Sequence, residues 1–554
     1  MRPVDWIVLA ASLAGIIGYG LYRARGSTSV ESYLLAGRTM RWWVIGLSIM
    51  ATQASAITFI GTTGQGYTDG LRFVQFYFGL PIAMVIISAV VVPRFFRANV
   101  YTAYEYLETK FDSKTRTLAS LIFLIQRGLG VGLALYAPAV VLSVIMGWPE
   151  PVTIATMGAL VITYTVIGGI KAVMWTDAQQ MMVMFAGIVA AFLAAVWRLP
   201  PDISFFDAIH LAGITGKMQA VDLDFDWQNR YNLWSGLIGG SFLALSYFGT
   251  DQSQVQRYLT GKSILHMRVS LLFNAVVKVP LQFVILLTGA LVFSFFVFVE
   301  PPLLFNPVES ARMEARQDTG YAAIESRYRG AWVERSAAAR RAAATRNRGD
   351  EAAFARANEE LSAVRQQAIA FVEEKNGGAT YNDTNYIFLR FVLGYLPAGL
   401  VGLVIAAVFA AAMSTISAEL NSLATVTVID HYRRYMVTNS SDAHYTRVAK
   451  SATAFWGIYA TVFASFGGQL GSLIEAVNIV GSLFYGSMLG VFVLAFAPWR
   501  VSGSGAFTGM LAGLAAVAWT ASSSDISFLW FNLVGCVVTV AVGYAVGRRT
   551  QVST

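Results

Sequence analysis

The 554-residue chain contains one cysteine, four histidines and few charged residues. The single thiol, Cys536, excludes a disulfide framework, and so few His and Cys residues argue against a zinc or iron-sulfur centre built from them. Charged residues make up 13% of the chain, against about 25% in an ordinary soluble domain, and the mean hydropathy is +0.56. This composition excludes a water-soluble globule and predicts an integral membrane protein.

Apolar runs bounded by charged residues, Pro or Gly predict an all-α bundle of about 13 transmembrane helices. The first run ends in Arg23 and Arg25 and not in a small-residue cleavage site, so we expect a retained helix and not a signal peptide. The predicted spans are 4–23, 42–67, 72–96, 115–146, 151–170, 174–197, 232–250, 270–298, 397–425, 448–467, 470–497, 505–521 and 527–547.

Basic residues are concentrated in alternate short loops, which accounts for much of the net charge of +8. The positive-inside rule therefore places the N-terminus outside and the C-terminus in the cytoplasm of a cell bounded by a plasma or inner membrane. This charge pattern indicates topology and predicts no nucleic-acid partner. The basic loops include Arg38 and Arg41, Arg94 and Arg97, Arg257 and Lys262, Arg433 and Arg434, and Arg548 and Arg549.

A charged, alanine-rich insert at 299–384 separates spans 1 to 8, in residues 1–298, from spans 9 to 13, in residues 385–554. The span count places this insert outside the cell. Its helix-forming composition and balanced charge predict exposed amphipathic helices, which form either a solvated hairpin that caps the bundle or a binding module. The apolar positions at helical spacing are Phe354, Leu361, Val364, Ile369 and Phe371.

Two spans carry small and polar residues at bilayer depth, which predicts helix breaks that line a cavity. Span 2 reads ATQASAITFIGTT from 51 to 63, and span 7 reads SGLIGGSFLALSYFGTDQ from 235 to 252. The two lie five spans apart and therefore cross the membrane in opposite directions, as an inverted repeat of spans 2 to 6 and 7 to 11 requires. Alternatively, the glycines of span 7 only allow tight helix packing.

Span 9 contains a third polar group, in which Ala411, Ser414 and Thr415 share one helical face. Hard cations prefer oxygen ligands, and carbonyls freed by a broken helix could complete such a site. The alternative is that both hydroxyls are bonded to their own backbone and serve only packing.

Five segments of the chain carry distinct motifs, in the order TAYEYLETKF (102–111), YAPAVVLS (136–143), YTVIGGIKAVMWTDAQQ (164–180), GTDQSQVQRYLTGKS (249–263) and AAAMSTISAELNSLATVTVIDHYRR (410–434). These segments resemble the sodium:solute symporter family, which includes sodium-coupled transporters of glucose, proline, iodide, monocarboxylates and vitamins. The resemblance implies a LeuT-like bundle, a five-plus-five inverted repeat with two broken helices, and it implies co-transported sodium and a small solute. The lipid bilayer is the expected surrounding, and the sequence indicates no obligate protein partner.

The resemblance further implies a sodium site between spans 2 and 9. Asp177 matches a family aspartate on the sodium exit path near the cytoplasmic face; alternatively, it caps the sixth span. The implied sodium ligands are the carbonyls of Ala51, Ala54 and Ala411 and the hydroxyls of Ser414 and Thr415.

The substrate positions implied by the resemblance differ from those of sugar transporters. Where those members carry a glutamine and a glutamate, this chain has Thr58 and Tyr77, and its motifs look more like the iodide, monocarboxylate and multivitamin branch. Tyr247 matches the family tyrosine that closes the cavity on its inner side, although an aromatic residue there could simply be packed. The expected cavity residues are Gln53, Ser55, Thr58, Tyr77, Arg127 and Tyr247.

Two basic residues, Arg127 and Lys278, fall near mid-bilayer, where an unpaired charge costs at least about 2.5 to 3.5 kcal/mol. With no acidic residue expected at that depth, they favour a visiting anion. The alternative is that they bind freed carbonyls or pair with Glu475.

These patterns predict a sodium-coupled symporter that takes up a small organic anion, such as a monocarboxylate, by alternating access. A sodium-coupled sugar or amino-acid symporter and a membrane sensor are the alternatives, although the chain ends soon after Arg549 with no cytoplasmic domain. A channel would need a continuous polar pore. The sequence shows neither a nucleophile paired with a general base nor a metal-ligand cluster, so it does not indicate an enzyme.

Overall fold

The computed structural model describes residues 1–24, 29–56, 58–378, 380–466 and 473–548. Within these ranges the elements are helices, with two isolated β-bridges and no β-strand. An unbroken helix satisfies its own backbone hydrogen bonds in lipid, which explains why the apolar runs become helices.

The helices that correspond to the predicted spans follow one another in the expected order. Shorter helices connect them at Val30–Leu35, Ala103–Lys110, Phe205–Ile214 and Thr384–Tyr395. The spans are Pro3–Ala24, the pair Trp42–Gln53 and Thr58–Thr68, Gly70–Ala98, Ser113–Met146, Glu150–Trp197, Ser235–Gly249, Ile264–Phe298, Leu400–Val426, Asp442–Ala464, Leu473–Phe496, Gly503–Ser523 and Leu529–Gly547.

In the described ranges, nine helices are long and apolar enough to cross a membrane, and the pair in span 2 makes ten. The helix Glu150–Trp197 has 48 residues, about 72 Å at 1.5 Å per residue and more than twice a bilayer core. It leaves helical geometry at Gly169 (φ 59°, ψ −171°), a positive-φ conformation suited to glycine, which divides it into spans 5 and 6. With Ser235–Gly249 as span 7 and Asp442–Ala464 as span 10, the number reaches the predicted thirteen.

Both predicted helix breaks are present. The two halves of span 2, named inner (Trp42–Gln53) and outer (Thr58–Thr68) after the predicted topology, are bent by 64°. The inner half ends at Ala54 (φ −89°, ψ 61°). Span 7 is interrupted at Thr250 and Asp251, which have φ values of −131° and −78°, before a short helix begins at Gln252.

The glycines of span 7 have a different role from the one expected. They lie inside the helix that precedes the break, where a Cβ on Gly236 would collide with the carbonyl of Gln75 and one on Gly240 would meet that of Phe76. These glycines therefore allow spans 3 and 7 to pack closely, and assigning the break to them is wrong.

The insert forms a helical hairpin. Pro307–Ala315 precedes two long helices, Thr319–Thr345 and Arg348–Lys375. Of the apolar positions predicted to share a face, Phe354, Leu361 and Val364 are buried, whereas Ile369 and Phe371 are half-buried.

Ionic contacts attach the hairpin to the end of the bundle. The guanidinium of Arg335 is buried and donates to the Phe296 carbonyl at the end of span 8 (2.6 Å). Arg346 pairs with Asp207 at 2.6 Å, and Glu351 lies 2.9 Å from the His210 ring. The hairpin is thus a docked cap; that it lies outside the cell remains a prediction.

Cysteine labelling tests this topology. In a Cys536→Ser background, a cysteine at Ala337, exposed on the hairpin, should react with a membrane-impermeant maleimide in intact cells. A cysteine at Ser440, exposed between spans 9 and 10, should react only after permeabilisation. The reverse pattern would overturn the orientation.

Candidate functional site

A cavity of about 120 Å³ lies between the broken span 2 and spans 3, 4, 7, 9 and 11. The structure brings together all six residues expected from the sequence to contact substrate. The cavity is lined by Thr52, Gln53, Ser55, Thr58, Phe76, Tyr77, Arg127, Gly130, Ala134, Leu243, Tyr247, Thr415, Glu419, Val477, Asn478 and Tyr485.

The break in span 2 gives the cavity its polar wall. The Thr58 hydroxyl donates to the Gln53 carbonyl across the break (3.3 Å), which satisfies one backbone group that a continuous helix would have bonded. Gln53 Oε1 is buried and has no hydrogen-bond partner among the described residues. The opposite wall is aromatic, with Tyr77 packed edge-to-face on Phe76.

Of the predicted sodium residues, Thr415 contacts span 2 where span 9 crosses its inner half, and Ser414 contacts Asp177 beside this crossing. The Thr415 hydroxyl donates to the Thr52 carbonyl (2.9 Å) and to the Ala411 carbonyl one turn earlier (3.1 Å). Ala51 and Ala54 are fully buried at the end of the inner half of span 2. The hydroxyl and carbonyl oxygens at this crossing are the ligand type that a hard cation such as sodium prefers.

Asp177 lies directly beside this crossing. Its carboxylate accepts hydrogen bonds from Ser414 (2.6 Å), from Ser48 (2.5 Å) and from the guanidinium of Arg257 (3.1 Å). Asp177 is fully buried inside the helix Glu150–Trp197 and therefore does not cap a helix end, which removes the capping alternative.

A charged cluster forms another part of the cavity wall. Arg127 donates to Glu419 Oε1 (2.7 Å) and to the Tyr485 hydroxyl (2.6 Å), and it also contacts Asp251. Its guanidinium lies 5.4 Å from the centre of the Tyr247 ring. Arg127, Asp251 and Glu419 are each no more than 5% exposed.

This cluster corrects one expectation from the sequence. Two carboxylates lie at the depth of Arg127, so the prediction of basic charge without acidic neighbours is wrong. Burying a lone charge is costly, and the carboxylates offset that cost. The side chain of Glu475, the partner considered from the sequence, lies outside the part of the chain that the structure describes.

Lys278 does not line this cavity. Its ammonium is fully buried, lies 5.4 Å from the centre of the Tyr77 ring and has no hydrogen-bond partner among the described residues. Asn274 and Gln282, one turn away on either side, are buried and lack side-chain partners within the same ranges. Lys278 therefore belongs, with Asn274 and Gln282, to a row of buried polar side chains along span 8, in which Lys278 lies next to Tyr77.

Sequence reasoning missed Glu419, Asp251, Tyr485 and Asn478. Glu419 could have been found, because an ionisable residue within an apolar span is expected to be functional, and it lies one turn beyond Thr415. Nothing in the sequence pairs Asp251 or Tyr485 with Arg127, since the three residues come from different spans.

Comparison with known proteins agrees with this architecture. The model of the sodium:solute symporter family matches residues 33–323 and 363–513. The chain belongs to the sodium:solute symporter family. Membership identifies sodium as the co-transported ion and confirms a multi-pass membrane transporter; residues 324–362, at the tip of the hairpin, fall outside the family match.

Relatives of this symporter are named as transporters of monocarboxylates, of vitamins and of sialic acid. It is 27% identical to sodium-coupled monocarboxylate transporter 2 of Mus musculus, over 94% of this chain and 72% of that protein. It is 27% identical to the sodium-dependent multivitamin transporter of Oryctolagus cuniculus, over 96% and 72% of the two chains. It is 25% identical to the sodium/sialic acid symporter NanT of Aliivibrio fischeri, over 98% and 92%.

A solved structure confirms the LeuT-like fold. A Na⁺-coupled sialic acid symporter in a substrate-bound, outward-open state superposes with a TM-score of 0.76 at 23% identity, over 98% of this chain and 97% of that chain.

Removing either span 9 hydroxyl should weaken sodium binding. Ser414→Ala and Thr415→Ala should each raise the sodium concentration for half-maximal transport, by about tenfold if the lost oxygen contributes about 1.4 kcal/mol. Ser422→Ala is the matched control, because that buried hydroxyl on the same helix bonds only the Glu419 carbonyl (2.9 Å) within the described ranges. Unchanged sodium dependence in both test variants would make Ser414 and Thr415 packing residues.

The charge balance around Arg127 can be tested by stability. Arg127→Gln should lower the thermal unfolding midpoint of the purified protein, because breaking a buried ion pair costs about 3 to 5 kcal/mol. Adding Glu419→Gln should recover part of the loss by removing one uncompensated carboxylate. Arg340→Gln, which breaks the exposed pair with Asp202, should change the midpoint little; an equally stable Arg127→Gln would contradict the cluster.

Proposed function

We propose that this protein couples inward sodium movement to the uptake of a small organic carboxylate by alternating access. The observation that carries the proposal is that the predicted sodium residues and the predicted substrate residues share a wall. Thr415 lines the cavity, and its hydroxyl bonds the Thr52 carbonyl at the end of the broken helix. An ion bound there would hold the cavity wall in place.

Charge supports the same coupling. With its three groups ionised, the cluster of Arg127, Asp251 and Glu419 carries one net negative charge, which opposes an anion in a low-dielectric cavity. A sodium ion at the neighbouring site adds one positive charge and removes that opposition. We therefore expect the carboxylate to bind well only after sodium.

Hydrogen-bond donors around the cavity suit a carboxylate. The Ser55 hydroxyl and the Gln53 amide lie on one side, and the Nε–H of Arg127 is buried without a partner among the described residues. Arginine binds carboxylates through such charge-assisted hydrogen bonds. A volume of about 120 Å³ suits a solute of a few carbon atoms.

The proposal includes a direction of transport. With the N-terminus outside and the C-terminus in the cytoplasm, Tyr247, Arg127 and Glu419 lie on the cytoplasmic side of the cavity and would separate for release. Asp177 and Arg257 would lie on the sodium exit path. One sodium ion moving inward across about 100 mV releases roughly 2.3 kcal/mol before its concentration gradient is counted.

The protein acts in this proposal as a transporter in the plasma or inner membrane, and neither as an enzyme nor as a sensor. A carboxylate is favoured over a sugar because this chain has Thr58 and Tyr77 at the positions where sugar transporters carry a glutamine and a glutamate.

Uptake into proteoliposomes tests the proposal. An inward sodium gradient should drive accumulation of a labelled three-carbon carboxylate at least about tenfold above that seen with an equal choline gradient, because sodium supplies the driving force. Labelled glucose should not accumulate. Sodium-independent carboxylate uptake, or sodium-driven glucose uptake without carboxylate uptake, would overturn the assignment.

A further inference from the structure

Two carboxylates face Arg127, but only one of them has all its oxygens bonded. Asp251 Oδ1 accepts from the Ser253 amide (2.9 Å) and hydroxyl (2.7 Å), while Oδ2 accepts from Arg127 and from the Tyr485 hydroxyl (3.1 Å). Glu419 Oε1 accepts from Arg127, whereas Glu419 Oε2 is buried and has no partner among the described residues. A buried carboxylate oxygen without a donor is costly, so this oxygen should receive one.

The open oxygen belongs to a residue of the cavity wall. Glu419 is 4% exposed, lines the cavity and lies one helical turn from Thr415. Its bonded partner, Arg127, has the buried Nε–H that also lacks a partner within the described ranges. An open acceptor and an open donor thus occur on two side chains that are hydrogen-bonded to each other.

We infer that Glu419 is a specificity residue that accepts a hydrogen bond from a donor on the substrate, placed on the carbon next to the substrate carboxylate. This inference rests on the proposed function. A ligand that meets both open groups needs an acceptor and a donor on adjacent carbons, as in 2-hydroxy acids and 2-amino acids. A 2-oxo acid or an unsubstituted fatty acid offers no donor and leaves Glu419 Oε2 unbonded.

Four three-carbon acids of similar size test the inference by sodium-driven uptake into proteoliposomes. They are 2-hydroxypropanoate, 2-aminopropanoate, 2-oxopropanoate and propanoate. At least one of the two acids with a donor should show a half-saturation concentration about tenfold below those of the other two, because a hydrogen bond to a charged group is lost in the latter. Preference for the hydroxy acid or the amino acid tells which donor is used.

Glu419→Gln provides the second measurement. The amide keeps an oxygen for Arg127 but presents N–H groups instead of the open carboxylate oxygen. The tenfold preference should therefore disappear, and 2-oxopropanoate, whose keto oxygen can accept from the amide, should improve relative to 2-hydroxypropanoate. The variant leaves Arg127 and Asp251 as a balanced pair.

Asp430→Asn is the matched control for loss of a buried acid. Asp430 lies further along the same continuous helix, is fully buried and pairs with Arg116 at 2.7 Å, but it does not line the cavity. It should keep the native preference ratio. An equal loss of preference in Asp430→Asn would overturn the inference.

The remaining outcomes separate the two proposals. Equal half-saturation for all four acids in the native protein, or an unchanged ratio in Glu419→Gln, would show that Glu419 only balances the charge of Arg127. Sodium-driven uptake of none of the four acids would instead refute the proposed function, and the inference would fall with it. The comparison of the four acids in the native protein remains a valid test even if a variant folds poorly.

Discussion

The hydrogen bond from the Thr415 hydroxyl to the Thr52 carbonyl joins an unbroken helix to a broken one. In lipid, a helix can stop at mid-membrane only if its last carbonyls find other partners. Span 9 supplies such a partner and also brings Ser414 against Asp177. The bend of span 2, the cavity beside it and the oxygen-rich crossing all depend on this contact.

The charged cluster is a second case in which buried polar groups need partners from other spans. The helix that carries Arg127 needs no charged side chain to form or to pack against lipid. The buried charge of Arg127 is tolerated because the carboxylates of Asp251 and Glu419 offset it. Arg127, Asp251 and Glu419 come from spans 4, 7 and 9, respectively, so the cluster joins three spans beside the cavity. In the proposed cycle, the contacts of Arg127 with Asp251 and with Glu419 would open on the cytoplasmic side for substrate release.

The hairpin packs against the helical bundle at a distance from the cavity. The tip of the hairpin enters the main core through Phe354, and Arg335 anchors the hairpin to span 8. The adjoining helix Thr384–Tyr395 packs on the outer half of span 2, where Gly64 has no room for a side chain beside the Thr384 carbonyl.

The sequence by itself determined the membrane location, the number of spans, the broken second helix and the family, because these follow from apolar run length, polar residues at bilayer depth and local motifs. It also named the six cavity residues that the structure brings together. It misplaced the break in span 7, since glycine marks both helix breaks and tight packing. Gly236 and Gly240 are used for packing, and the helix ends at Thr250 and Asp251.

Only the tertiary structure decided which charged side chains form pairs. Glu419 was visible in the sequence as a carboxylate in an apolar span, but its pairing with Arg127 joins residues that are 292 positions apart. The same holds for Asp177. Its local sequence allows a helix-capping role, but in the folded protein, where spans 6, 7 and 9 pack together, it is a buried partner of Ser414 and Arg257. Electrostatic pairing depends on distance in space, which no local periodicity encodes, and so the net charge of the cavity could be read only from the folded chain.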